Sequence, residues 1–97
     1  MSKKHFETEA IRTQIERTDF LEHSAPLYLS SSFVFEDAED MRASFAEEKD
    51  RNLYSRFTNP NTTEFVDKIC KMEGAEAGYA FATGMSAVFS TFAALLN

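Results

Sequence analysis

An uncharged segment of twenty residues, 77–96, limits what this chain can fold into. Its length matches a membrane span, but Gly78, Gly84 and several hydroxyl-bearing residues make a span the weaker alternative. The first part, 79–82, is typical of a short buried strand, whereas the remainder is apolar and unbroken. We therefore predict a strand at 79–82, a tight turn, and a helix from about Ser86 to Leu96.

The predicted C-terminal helix is apolar on nearly all sides, which is typical of a helix buried between other elements. A helix, a strand and a helix in this order indicate the beginning of an α/β domain. A parallel sheet needs further strands, and 79–82 is the single convincing candidate. The sequence therefore predicts an incomplete α/β domain, which is either the N-terminal part of a larger protein or a chain that needs a partner.

Composition and charge exclude several classes of protein. The chain has 97 residues, of which 43% are hydrophobic and 27% charged, and this argues against a disordered acidic tail. A net charge of −6 argues against nucleic-acid binding. One cysteine, Cys70, excludes an internal disulfide, and no Cys/His cluster indicates a metal site. The N-terminus lacks the apolar stretch of a secretory signal, so a cytoplasmic location is expected.

The first half of the chain predicts two short helices separated by extended chain. Residues 8–17 allow a helix with Thr8 as its N-cap. Pro26 opposes helix within 24–35, where aromatic and serine residues favour extended backbone. Asp37 is placed to cap the next helix.

A longer helix is predicted at 61–73, after the Asn59-Pro60-Asn61 turn signal. Asn61 is its expected N-cap, and Glu64 stands three residues later, as a capping box requires. Gly74 follows the last residue and suits the left-handed conformation that ends many helices.

Two short segments are candidate phosphate sites. The Thr83-Gly84-Met85 turn leads into a helix, so its backbone N–H groups and the helix dipole favour an anion; the alternative is a plain helix cap. Tyr54 and Arg56 alternate, so in extended chain both side chains point the same way. A phenol beside a guanidinium makes a phosphate clamp, and the alternative is a surface arginine beside a half-buried tyrosine.

Together these residues resemble the N-terminal quarter of the Cys/Met-metabolism family of pyridoxal-phosphate enzymes. The resemblance begins near Thr8 and lies in four motifs that occur in the family's order and spacing. They are the 26–35 block, the Y-S-R-x-x-N-P motif at 54–60, the M-E-G-A-E motif at 72–76 and the T-G-M-S-A turn at 83–87. The family usually has Thr, Ser and Leu where this chain has Asn61, Thr83 and Met72.

The resemblance implies an architecture. The intact protein is expected to be a two-domain α/β enzyme with the type I pyridoxal-phosphate-dependent transferase fold. Residues 1–55 would form an N-terminal arm used in assembly and in active-site contacts across subunits. Residues 56–97 would begin the cofactor-binding α/β domain, whose sheet is incomplete in this chain. The family habit is a homotetramer of active dimers.

The resemblance also implies site residues and an activity. Gly84 and Met85 would bind the phosphate of pyridoxal 5'-phosphate through backbone N–H groups. Tyr54 and Arg56 would reach the phosphate of a neighbouring subunit's cofactor, and Tyr54 would also assist near the reacting carbon. The Schiff-base lysine is expected beyond Asn97, so this chain alone should be inactive.

Within the family, the resemblance is to the branch that acts on a small amino-acid substrate, O-succinylhomoserine, in methionine biosynthesis. That branch replaces the γ-substituent with sulfide to give homocysteine. Other members, including γ-lyases, cystathionine γ-synthases and enzymes of O-acetylhomoserine, remain alternatives. An alternative of another class is a non-catalytic interaction module that docks its apolar C-terminal helix on a partner.

Overall fold

The computed structural model describes residues 5–96, which form four helices joined by extended chain and turns. An antiparallel bridge joins Ser32 to Tyr54. Among the described residues, α1 and α3 are the one pair of helices that pack against each other. The helices are α1 Phe6–Arg12, α2 Ala38–Phe45, α3 Pro60–Glu73 and α4 Gly84–Leu95.

The first helix differs from the sequence prediction at both ends. It begins at Phe6 after His5, which makes no side-chain cap, so the predicted role of Thr8 is wrong. It ends at Arg12 instead of residue 17. The Ile15 N–H donates instead to Oε1 of Glu64 on α3, at 3.1 Å. A tertiary hydrogen bond thus holds backbone that helical periodicity had assigned to α1.

The N-terminus of α3 also differs from the prediction. The cap is Asn59, whose Oδ1 accepts from the Asn61 N–H at 2.9 Å, and Pro60 occupies the first turn. Proline suits that position because its fixed φ is helical and its missing N–H needs no partner there. The predicted capping box of Asn61 and Glu64 is therefore wrong. At the other end, Gly74 adopts the left-handed conformation, with φ of 66°, as predicted.

The prediction that Asp37 caps a helix is confirmed, and the predicted start of the C-terminal helix near Ser86 is wrong by two residues. Asp37 caps α2, because its Oδ1 accepts from the Asp40 N–H at 2.7 Å. Thr83 caps α4, since its Oγ1 accepts from the Ser86 N–H at 3.1 Å. Helix α4 begins at Gly84, so the predicted Thr83-Gly84-Met85 turn is the first turn of the helix itself.

The predicted strand at 79–82 does not form, and no sheet is present within residues 5–96. A strand is stable through hydrogen bonds to a neighbouring strand, and the described residues supply none beside this segment. The α/β character predicted from the sequence is therefore absent from this part of the chain taken by itself, which contains helices and one isolated bridge.

The apolar surface of the chain is exposed. No hydrophobic side chain within the described residues is buried, and on α4 the exposed fractions of Met85 and Phe92 are 75% and 58%. The accessible surface is 8482 Å². A folded monomer of 11.0 kDa would expose about 5,600 Å². Helix α4 therefore presents apolar surface that only contacts outside these residues can bury. No helix within residues 5–96 combines the length and hydropathy that a membrane crossing needs.

Polar side chains at the start of α3 connect the extended segment before α2 to that helix. The Tyr28 N–H donates to Oδ1 of Asn61 at 2.6 Å, and Nδ2 of Asn61 donates to the Pro26 carbonyl at 2.7 Å. Asn59 contacts the same segment, donating from Nδ2 to the Tyr28 carbonyl at 3.0 Å. Two asparagines thus satisfy backbone groups of 26–28, whereas the bridge to Tyr54 lies further along the segment at Ser32.

Candidate functional site

Tyr54 forms the bridge to Ser32 and begins a turn that contains Arg56, so the two residues do not lie on one extended segment. The N–H groups of Phe57 and Thr58 both donate to the Tyr54 carbonyl, at 2.9 and 3.0 Å. The predicted extended backbone from Tyr54 to Arg56 is therefore wrong, yet the two side chains are adjacent. The guanidinium carbon of Arg56 lies 5.2 Å from the centre of the Tyr54 ring. The turn, instead of a pleat, brings the phenol and the guanidinium side by side.

The charge on Arg56 is accessible to an anion. Arg56 is exposed and Tyr54 is 40% exposed. The salt bridges within residues 5–96 engage Arg42, Lys49 and Arg51, and none of them involves Arg56. A guanidinium outside the salt bridges of residues 5–96, next to a phenolic hydroxyl, provides donors of the kind that bind phosphate.

The residue between the pair anchors the turn. The Ser55 N–H donates to the Ser31 carbonyl at 2.7 Å, and Oγ of Ser55 donates to the Ser30 carbonyl. Asn59 then donates to Oγ of Ser55 at 3.0 Å. Sequence reasoning missed Ser55 and Asn59. Both residues lie inside the Y-S-R-x-x-N-P motif and carry side chains that form hydrogen bonds, and the serine run at 30–32 offered backbone and hydroxyl groups as partners.

The N-terminus of α4 carries the other two predicted residues. Within the described chain, the N–H groups of Gly84 and Met85 have no hydrogen-bond partner, whereas Thr83 occupies that of Ser86. Two unpaired donors and the positive end of the helix dipole suit an anion. A Cβ added at Gly84 would meet nothing within 4 Å, and the φ of Gly84 is not positive. The open backbone there fits a phosphate group.

The two pairs are not brought together on this chain. Tyr54 and Arg56 both line an apolar cleft between 32–35 and α2, and Arg56 also lines a cavity of about 460 Å³ beside 78–82. Neither space is lined by Gly84 or Met85. That the two pairs serve one phosphate across two subunits stays a prediction.

A charge cluster precedes the turn. Asp40 is buried, and its carboxylate pairs with Lys49 and, at 2.6 Å, with Arg51. Arg51 also donates to the Val34 carbonyl at 2.6 Å, and its guanidinium carbon lies 4.5 Å from the centre of the Phe35 ring. The hydrogen bond from Lys49 is the main reason that the pKa of Asp40 lies below its ordinary value. The cluster ties α2 to the backbone that leads into Tyr54.

Comparison with known proteins identifies the class. Residues 7–97 match the family described as "Cys/Met metabolism PLP-dependent enzyme", so the chain belongs to that family of pyridoxal-phosphate-dependent enzymes. It is 43% identical over 92 residues to O-succinylhomoserine sulfhydrylase of Pseudomonas aeruginosa, covering 95% of this chain and 23% of that protein. It is 35% identical over 97 residues to L-methionine gamma-lyase of Fusobacterium nucleatum subsp. nucleatum, covering 100% of this chain and 25% of that enzyme.

Solved structures agree with this family. A Campylobacter jejuni structure assigned as an O-acetylhomoserine (thiol)-lyase, which carries an N'-pyridoxyl-lysine-5'-monophosphate, superposes with a TM-score of 0.89 at 26% identity. The match covers 94% of this chain and 22% of that structure. The metB protein of Corynebacterium glutamicum superposes with a TM-score of 0.79 at 26% identity, covering 97% and 23% of the two chains. The chain thus spans about a quarter of the length of the relatives it matches.

Proposed function

We propose that this chain is the N-terminal portion of a pyridoxal-phosphate-dependent sulfhydrylase. The reaction would replace the succinyloxy group at the γ-carbon of O-succinylhomoserine with sulfide, giving homocysteine and succinate. The observation that carries this proposal is the 43% and 39% identity to O-succinylhomoserine sulfhydrylases over nearly the whole chain. Within the proposal, residues 1–55 are the assembly arm, residues 56–97 begin the cofactor domain, and the enzyme is a cytoplasmic tetramer of active dimers.

Each candidate residue has a defined part in the proposal. Pyridoxal phosphate, when bound, supplies the electron sink for the chemistry at the substrate's α- and γ-carbons. Gly84 and Met85 hold its phosphate through backbone N–H groups in their own subunit. Arg56 and the Tyr54 hydroxyl bind the phosphate of the neighbouring subunit's cofactor, and the Tyr54 phenol also assists near the reacting carbon. The lysine that binds the cofactor covalently lies outside this chain.

Elimination from a γ-substituted amino acid is a second candidate. The relatives named L-methionine gamma-lyase, one of which this chain matches along its entire length, favour it. The purified full-length enzyme, given O-succinylhomoserine and sulfide in one assay and methionine alone in another, distinguishes the two. Homocysteine formation supports the sulfhydrylase, and release of a thiol from methionine supports the lyase.

Substituting Arg56 tests the phosphate assignment. In the full-length enzyme, Arg56→Ala should raise the dissociation constant for pyridoxal phosphate about 10- to 150-fold, because a charge-assisted hydrogen bond is lost. Arg56→Lys should restore part of the affinity, since lysine keeps the charge but lacks the planar fork. The measurement is a fluorescence titration of the apoenzyme. Arg42→Ala is the control, because Arg42 is an exposed arginine paired with Glu39 and Glu48. Unchanged affinity in Arg56→Ala would remove Arg56 from the site.

The Asp40 cluster predicts a pH-dependent contribution to stability. The native-state pKa of Asp40 is below its ordinary value of 3.8, so ionised Asp40 stabilises the fold above that value. This contribution is lost as the pH falls through the lowered native pKa. In the full-length enzyme, Asp40→Asn should lower the melting temperature at pH 7, and its difference from wild type should shrink below about pH 4.

The control for Asp40 lies one residue earlier on the same helix. Glu39 pairs with Arg42 at 2.6 Å, but both side chains are more than half exposed. Exposed ion pairs contribute little, so Glu39→Gln should leave the melting temperature nearly unchanged at every pH. Equal melting curves for Asp40→Asn and Glu39→Gln at pH 7 would contradict the prediction.

A further inference from the structure

Asn59 is one of three buried polar residues within the described chain, with 8% of its surface exposed. Its side chain is fully engaged. Oδ1 accepts from the Asn61 N–H at 2.9 Å, which caps α3. Nδ2 donates to the Tyr28 carbonyl and to Oγ of Ser55, both at 3.0 Å. One carboxamide therefore joins three separate parts of the chain: the helix, the extended segment and the turn.

The hydrogen bond from Asn59 to Ser55 reaches the residue that separates Tyr54 from Arg56. Ser55 lies between Tyr54 and Arg56, and it is half-buried while both of its neighbours are exposed. Its hydroxyl accepts from Asn59 and donates to the Ser30 carbonyl. Its N–H donates to the Ser31 carbonyl at 2.7 Å. These bonds hold the middle of the turn against 30–31.

We propose that Asn59 is a positioning residue for the Tyr54–Arg56 pair, an inference that rests on the proposed function. By holding Ser55 against the 28–31 segment, Asn59 fixes the turn before any phosphate arrives. Fixing a binding group in advance reduces the ordering cost at binding, so the same donors bind more tightly. The Nδ2 bonds also couple the turn to α3, because the opposite end of the same carboxamide caps that helix.

The two ends of the Asn59 carboxamide can be tested separately. Asn59→Asp keeps an oxygen that caps α3, and aspartate is as good an N-cap as asparagine. The same change removes both Nδ2 donations and places a carboxylate oxygen opposite the Tyr28 carbonyl. A role limited to capping predicts no loss of cofactor affinity in Asn59→Asp, whereas a positioning role predicts a loss.

The matched control is Asn61→Asp. It removes the Nδ2 donation to the Pro26 carbonyl and keeps the acceptor for the Tyr28 N–H, but Asn61 makes no hydrogen bond to the turn. In the full-length apoenzyme titrated with pyridoxal phosphate, Asn59→Asp should raise the dissociation constant about three- to tenfold. Asn61→Asp should change it less than about twofold. Equal changes in the two variants would overturn the proposal.

A double-mutant cycle separates positioning from general destabilisation. If Asn59 acts through the Tyr54–Arg56 pair, Asn59→Asp should raise the dissociation constant by a much smaller factor in the Arg56→Ala background than in the wild type. The same fold-change in the dissociation constant in both backgrounds would overturn the proposal. Ser55→Ala removes the hydroxyl that accepts from Asn59, so it should weaken cofactor binding to a similar extent. This variant tests the proposal if Asn59→Asp does not fold.

The outcomes also distinguish this inference from the proposed function. If Arg56→Ala leaves the affinity unchanged, the phosphate assignment fails and the positioning role fails with it. If Arg56→Ala weakens binding while Asn59→Asp and Ser55→Ala do not, only the positioning role is overturned.

Discussion

The isolated 97-residue chain is expected to show no cooperative thermal unfolding transition. Within the described residues no apolar side chain is buried, and Phe89, Phe92 and Leu95 of α4 expose 73%, 58% and 75% of their surface. Fully burying a large apolar side chain contributes about 1.5–3 kcal/mol, and no side chain of α4 is fully buried. Polar connections at Asn59 and Asp40 cannot replace it, because the net contribution of one hydrogen bond is only about 1 kcal/mol.

Calorimetry and circular dichroism at several protein concentrations check this prediction. A broad, featureless profile with binding of a hydrophobic dye is the expected result, and the full-length enzyme, which should melt cooperatively, is the control. A sharp transition in a chain shown to be monomeric would contradict it. A melting temperature that rises with concentration would show that copies of the chain cover one another's apolar surface.

Mixing two variants that are each impaired at a different part of the site should restore about a quarter of wild-type activity. One variant is Arg56→Ala, and the other lacks the lysine that binds the cofactor covalently. In a hybrid dimer, the first chain supplies an intact cofactor domain and the second an intact Tyr54–Arg56 turn. Random pairing makes about half of the dimers hybrid, each with one good site of two, if the sites act independently.

A second mixture serves as the control. Arg56→Ala and Tyr54→Ala both damage the same turn, so no hybrid of these two chains contains a site with both groups intact. Activity should therefore recover in the first mixture and not in the second. If verified hybrids of the first mixture are no more active than their parents, Arg56 acts within its own subunit and the shared-site proposal is wrong.

Local chemistry in the sequence predicted several features correctly. Asp37 caps α2 because its side chain reaches an N–H three residues on, and Gly74 ends α3 because a residue without Cβ adopts positive φ without strain. The family motifs also predicted membership, which the match over residues 7–97 confirms. The two helix-end inferences depend on residues close together in the chain, and the family inference depends on short motifs that occur in a fixed order along it.

Predictions failed where a distant partner changed the local preference. Periodicity extended α1 to residue 17, but Glu64, 49 positions away from Ile15, binds backbone that the helix would have used. The expected capping box failed because Asn59, and not Asn61, is the N-cap of α3, which places Glu64 beyond the third helical position. Residues 79–82 have the composition of a strand, yet they form none among the described residues because no neighbouring strand is there to bond with.

The sequence by itself determined that α4 is apolar on nearly all sides and that the chain belongs to a pyridoxal-phosphate family. Short-range spacing and residue type are enough for such conclusions. Only the tertiary structure decided that Asn59 and Ser55 hold the turn, and that the turn lies against 30–31. The hydrogen bonds that hold Ser55 against Ser30 and Ser31 join residues 25 and 24 positions apart, so they depend on how the chain folds back on itself, and no local pattern encodes that path.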